Sequence, residues 1–302
     1  MTASVLGLGA IVVSDIAEAG AKREAISDEP TVAEPVIQKK LVVKRILPHF
    51  GEDQNFINMF LSEARLAAEL NHPNVVQIFD FGQTDGTYYI AMEFIDGPNL
   101  RALAQRAREF GQPLSYALCA KVVSLAAEGL QYAHDLTDDQ GRPVNLVHRD
   151  ISPDNLLVAR SGSVKVVDFG IAKTDTQMHH TRSGVIKGKM AYMPPEQLNR
   201  QPLDRRTDVY ALGVVLYELI SGAFPFDATS EVSIIQAVMN QEPLMPISQR
   251  VANVPPGLEA IITRCLSKPK EGRFASCAEL QRALEELRRL LSDPARPQVE
   301  LD

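Results

Sequence analysis

Apolar positions along this chain recur with two different periods. Leu41-Val42-Val43 forms a strand-like apolar run closed by Lys44, and Tyr88-Tyr89-Ile90-Ala91-Met92 reads as a second strand. Between them, from about Asn55 to Leu70, Phe56, Met59, Phe60, Ala67 and Leu70 follow the three-four spacing of one helical stripe, and Glu63 falls on that same stripe. A carboxylate facing inward is costly unless paired, so this helix asks for a cation, and Lys44 is the candidate. Beyond residue 97 the helical period dominates. Asn99 to Phe110 and Tyr116 to His134 read as amphipathic helices, the latter carrying Leu118, Val122, Leu125, Ala126, Gly129 and Leu130. Thr207 to Ser221 is apolar on nearly every face, as expected of a helix at the centre of a core; it is too short, and broken by Glu218, to cross a bilayer. Ser276-Cys277-Ala278-Glu279 is a capping box that opens a last helix through about Leu291, and the tail from Asp293 is expected to fray.

Polar chemistry is concentrated between two of these helices. His148-Arg149-Asp150 stands five residues before Asn155 and eighteen before Asp168-Phe169-Gly170. Two short apolar runs, Leu156-Leu157-Val158 and Val164 to Val167, flank a Ser161-Gly162 turn and bring Asn155 and Asp168 close together. One amide and one carboxylate suffice for Mg²⁺, which fills its other positions with water and phosphate. Asp150 is then left to orient a hydroxyl and accept its proton. Either triplet alone could be a solvated turn or a strand end; the ordered pair carries the argument.

This constellation resembles the catalytic loop and DFG segment of the protein kinase family. The resemblance implies an α+β, bilobal fold: a small β-rich N-lobe with one main helix, ending near residue 92, and a larger, mainly α-helical C-lobe from about residue 97. The kinase domain would span 37–292, after an atypical segment 1–36 and before a tail 293–302. It implies that Lys44 touches ATP phosphates and pairs with Glu63, that Asp150 is the catalytic base, and that Asn155 and Asp168 bind Mg²⁺. Glu93-Phe94-Ile95 is similar to the interlobe hinge, so backbone groups of Glu93 and Ile95 would meet adenine, with Met92 behind it. Pro194-Pro195-Glu196 stands where the family has Ala-Pro-Glu, and Arg273 matches the arginine that pairs with that glutamate. Asp208 is placed to accept backbone N–H bonds from the catalytic loop. The polar run between Asp168 and Glu196 would be an activation loop, with Thr174, Thr176, Thr181 and Ser183 open to phosphorylation and Arg149 able to grip the product.

Three departures qualify the match. Ser152 occupies the position of a lysine that steadies the transferring phosphate in Ser/Thr kinases, and Lys189 that of a threonine bonded to the catalytic Asp. The third is the phosphate loop. Its candidate, Gly7-Leu8-Gly9, lacks a third glycine, lies thirty-odd residues before Lys44 and leaves six residues for a preceding strand.

Composition narrows the function classes. The chain has 302 residues with 45% hydrophobic content, enough for a large core and little room for a second module; its net charge of −7 gives no reason to expect nucleic-acid binding. Three scattered cysteines, Cys119, Cys265 and Cys277, lack metal-ligand spacing and suit a reduced, cytoplasmic protein. The apolar first thirteen residues carry no preceding Lys or Arg, so no secretory signal is expected, nor any membrane segment. The leading expectation is an ATP- and Mg²⁺-dependent bacterial Ser/Thr protein kinase, with a protein acceptor that could include the chain itself. A pseudokinase scaffold with weak turnover and a kinase-fold enzyme acting on a small molecule are the alternatives.

Overall fold

The structure is a computed structural model that describes residues 11–19, 39–46, 53–169, 186–226, 231–240 and 243–292. The chain divides into two compact units, one of residues up to 69 with 76–95, the other of residues 70–75 with those from 96 onward.

In the N-terminal unit, β1 (Ile11–Ala19), β2 (Lys39–Ile46), β3 (Ile78–Thr84) and β4 (Thr87–Glu93) form one antiparallel sheet in the order β1-β2-β4-β3. Asp85 and Gly86 turn β3 into β4 with positive φ at both residues, the conformation that a two-residue hairpin loop requires. The helix α1 (Gln54–Ala68) starts where the Asp53 side chain accepts the Phe56 N–H. Its inward residues Phe56, Ile57, Phe60, Ala64 and Ala67 join Ile46, Ile78 and Ile90 in a small apolar core. Leu70, which sequence spacing adds to the same stripe, packs instead in the core of the other unit, because the helix stops at Ala68. The atypical segment 1–36 also contributes more than expected: β1 is drawn from it and pairs along the Lys44 strand, Val13 opposite Lys44, with a bulge between Val13 and Ile16.

The C-terminal unit is built on α5 (Arg206–Ser221), whose residues from Thr207 through Tyr217 are all buried. Around its apolar surface stand α2 (Leu100–Glu109), α3 (Tyr116–His134), α7 (Pro256–Cys265) and α8 (Cys277–Ser292), sharing one core. Burial of each such Leu or Val stabilises by roughly 1.5–3 kcal/mol. Gly213 lets α7 approach closely: a Cβ there would stand 2.4 Å from that of Cys265. The capping box forms with a variation. Ser276 Oγ accepts the Glu279 N–H, and Glu279 reaches back to the N–H of Ala275. Short strands β5 (Leu156–Val158) and β6 (Val164–Val166) pair antiparallel, and α4 (Pro195–Leu198) and α6 (Glu231–Met239) complete the unit.

The ion pair of Arg273 with Glu196 is buried inside this unit. Arg273 Nη1 and Nη2 donate to the two oxygens of Glu196 at 2.6 and 2.9 Å, and the same guanidinium donates to the carbonyls of Arg206, Ser267 and Lys268. Every donor is used. Truncating Arg273 strands a buried carboxylate, so Arg273→Ala is expected to cost about 3–5 kcal/mol, read as a lower urea midpoint. Replacing both partners, Arg273→Met with Glu196→Leu, is expected to recover much of that loss in the same measurement.

Candidate active site

The loop that precedes β5 is suspended from one carboxylate. Asp208, in the first turn of α5 and fully buried, accepts the N–H of His148 on Oδ2 and that of Arg149 on Oδ1, both at 2.9 Å. His134, at the end of α3, places Nε2 2.8 Å from the same Oδ2. Burial alone would raise the Asp208 carboxyl, but His134 and the loop's donors together hold it below the ordinary value. Two helices and a loop thus meet at one anion.

His148 is the next link. Its Nδ1 accepts the Asp150 N–H at 3.2 Å, so Nε2 must carry the ring proton, which it donates to the Val167 carbonyl at 3.0 Å. That pair of bonds requires the neutral imidazole. Complete burial lowers the His148 pKa against the opposing pull of Asp208, and the ring packs on Phe169 with centroids 4.7 Å apart.

These supports present Asp150 from the loop, Asn155 from the turn just before β5 and Asp168 from just beyond β6. Asn155 Nδ2 donates to the Asp150 carbonyl at 2.8 Å and to its Oδ2 at 3.1 Å; both partners are acceptors, which fixes the amide orientation and turns Oδ1 the other way. The Asn155 carbonyl accepts the Val167 N–H at 3.0 Å, so Asp168 follows directly beside Asn155. Lys189, in the 3-10 turn Ile186–Tyr192, extends Nζ to 2.8 Å from Asp150 Oδ2. Ser152 is buried beside them, and among the described residues its hydroxyl has no hydrogen-bond partner. Arg149 and Asp168 hold φ of 64° and 58°, left-handed values that are unfavourable for side chains of their kind.

A polar network that sequence reasoning missed fixes the outer face of the loop. Arg101 on α2 donates Nε to Asp154, Nη1 to Glu218 on α5 and Nη2 to the Tyr192 hydroxyl, while Tyr192 donates to Glu218. Burial pushes the Tyr192 hydroxyl up, so it remains a donor. Gln197 on α4 adds a bond from its side-chain amide to the Arg149 carbonyl at 2.9 Å. Glu218 was the available signal: a carboxylate amid the apolar run of a core helix requires a cation.

The expected N-terminal residues are positioned within their own unit. Lys44 is buried on β2, opposite Val13 and Ile90. Glu63 lies on α1, and its side chain falls outside the described residues. Glu93 ends β4, where its N–H is donated to the Gln77 carbonyl and its carboxylate accepts the Gln77 N–H. Ile95 follows it, and Met92 packs against the small core. Gly7, Gly9, Gly170 and the hydroxyls Thr174, Thr176, Thr181 and Ser183 all lie outside the described residues. Among the described residues no helix is long and apolar enough to cross a membrane, and no three His, Cys, Asp or Glu side chains cluster as metal ligands.

Comparison with known proteins agrees with this geometry. A family model described as the protein kinase domain matches residues 32–284. The tyrosine-protein kinase MasK of Myxococcus xanthus is 42% identical over 251 residues, 82% of this chain and 38% of that protein. The serine/threonine-protein kinase pkn3 of the same species is 38% identical, over 85% of this chain and 48% of its own length. PrkC of Bacillus subtilis is 32% identical, over 82% of this chain and 36% of that protein. The chain therefore spans between about a third and a half of the length of these curated relatives. Among solved structures, the kinase domain of Mycobacterium tuberculosis PknI, crystallised as a double mutant, superposes with a TM-score of 0.60 at 26% identity, covering 83% of this chain and 89% of that one. With its family match extending over most of its residues, this chain belongs to the protein kinase family.

Proposed function

We propose that the chain is a kinase domain that transfers the γ-phosphoryl group of Mg-ATP to serine or threonine hydroxyls of protein substrates. The observation that carries this reading is the placement of Asp150: a buried carboxylate at the end of a rigidly suspended loop, its Oδ2 accepting from both Asn155 and Lys189. A base must be fixed before its substrate arrives, and this one is.

The residues suit the magnesium ion that the family uses. Asn155 spends both amide hydrogens on Asp150, which aims its remaining oxygen away from the base, and Asp168 supplies a carboxylate from the neighbouring strand end. When bound, the ion would neutralise charge on phosphate oxygens. In the N-terminal unit we assign Lys44 to the α and β phosphates, Glu63 to holding Lys44, and the backbone of Glu93 and Ile95 to adenine. Asp150 would receive the hydroxyl proton as the new O–P bond forms and the bond to ADP breaks. We place the domain in the cytoplasm, where ATP and reduced thiols occur; its three cysteines are free and buried, and burial pushes Cys119 up to about 12. The intact loop supports an active enzyme over a scaffold.

A second reading concerns the acceptor. The relative at 42% identity is named a tyrosine-protein kinase, so a tyrosine hydroxyl is the alternative substrate. Phosphoamino-acid analysis after incubation with labelled ATP is expected to return phosphoserine and phosphothreonine, and phosphotyrosine alone would replace the proposal with the alternative. Asp150→Asn is expected to lower kcat by about 10²-fold or more while Mg-ADP still raises Tm.

The loop also depends on a neutral His148. A histidine whose pKa is depressed in the folded state binds its proton more readily when unfolded, so its contribution is complete above the unfolded value near 6.5 and declines as pH falls below it. The slope per group cannot exceed about 1.4 kcal/mol per pH unit. Urea midpoints are accordingly expected to fall between pH 7.5 and 5, and more shallowly in His148→Gln, which starts from a lower value.

A further inference from the structure

We infer that Lys189 is a catalytic residue, the cation that stabilises the transferring phosphoryl group in this enzyme. The inference rests on the reading of Asp150 as the base. Lys189 Nζ lies 2.8 Å from Asp150 Oδ2, with side chains only 14% and 7% exposed, so this is no solvated surface pair. It stands in a turn whose other end is locked: Tyr192 is bound to Arg101 and Glu218, and the Met193 N–H returns to the Met190 carbonyl. The lysine is therefore delivered to the base by a fixed support.

Charge arithmetic explains what such a pair can do. Before reaction, the ammonium and the Asp150 carboxylate neutralise each other, and little positive field is left for a ground-state substrate. As the hydroxyl oxygen bonds to phosphorus, its proton passes to Asp150, and the phosphorus–oxygen bond to the ADP leaving group breaks. The carboxylate becomes neutral at that moment, and the ammonium loses its counter-charge beside the phosphoryl oxygens. Its stabilisation is thus greatest after the ground state, which is the condition for raising kcat. The ammonium has three N–H donors and spends one on Asp150. Position 152, two residues beyond the base, cannot provide this charge, since it holds a serine that is buried to 99%.

The test is steady-state kinetics on a peptide acceptor with Lys189→Met, Lys189→Arg and Asp150→Asn, each checked for folding by its melting curve and by stabilisation with Mg-ADP. Lys189→Met is expected to lower kcat about 10²-fold with KM for ATP changed less than about threefold, in line with removal of one charge-stabilising donor. Lys189→Arg, which retains the charge, is expected to recover at least a tenth of wild-type kcat. A Lys189→Met enzyme with kcat equal to or above wild type overturns the inference, an increase meaning that the ammonium blocks the base instead. A folded Lys189→Arg enzyme as impaired as Lys189→Met also overturns it, and this arm stands if the methionine variant does not fold. Asp150→Asn separates the two claims: wild-type turnover there defeats the kinase reading, whereas a dead Asp150→Asn beside a fully active Lys189→Met defeats only the role of Lys189.

Discussion

Burying a carboxylate without compensation costs several kcal/mol, and Asp208 is tolerable at the centre of this unit because three donors converge on it. Two of those donors are backbone amides of the segment that carries Asp150, and the third is a histidine on another helix. The cost of burial is thereby converted into position. A loop lacking regular hydrogen bonding would otherwise sample many conformations, each residue so fixed opposing about 1–2 kcal/mol of backbone entropy. Helix α5 is buried on all sides and cannot shift to follow the loop, so the loop must follow Asp208.

The second layer of support works in the same way. Glu196 and Arg273 tie the segment after the turn at 186–192 to the region ahead of α8, and Gln197, the next residue after Glu196, reaches the Arg149 carbonyl. Arg101, Tyr192 and Glu218 tie that same turn to α2 and α5. Asp150 is consequently held by Asn155 from within its loop and by Lys189 from a turn fixed at a distance of many residues. The carboxylates of Asp150, Glu196, Glu218 and Asp208 each meet a cationic or histidine partner, which is why so many acidic groups near one site do not destabilise it.

How much of this was legible in the sequence depended on the range of the interaction. Helices α3 and α5, the capping box at Ser276 and the β5–β6 pair are local, and spacing alone located them. The Glu196–Arg273 pair and the role of Asp208 were readable because the family resemblance supplied the partners. The Arg101 network was not, since nothing local links an arginine at 101 to a tyrosine at 192 and a glutamate at 218. The strand β1 was missed for a related reason: Ile11 to Ala19 contains Ser14, Asp15 and Glu18, which interrupt an apolar alternation, and its pairing with β2 is set across a long connection. Leu70 shows the limit of periodicity itself, which continues past the point where the helix ends.

The left-handed residues complete the logic. At Arg149 and Asp168 the backbone costs of order 1–3 kcal/mol each, and glycine would relieve it. In the proposed mechanism Asp168 cannot be glycine, because its side chain is assigned to the metal. The strain at Arg149 is met on both sides, its N–H bound by Asp208 and its carbonyl by Gln197. Asp168 is bracketed by Val167, whose N–H and carbonyl are held by Asn155 and His148, and by the buried Phe169. A backbone conformation that the residue itself disfavours persists only where its neighbours over-determine it. Here the neighbours belong to the same bonded arrangement that holds Asp150, so strain and support are parts of one whole.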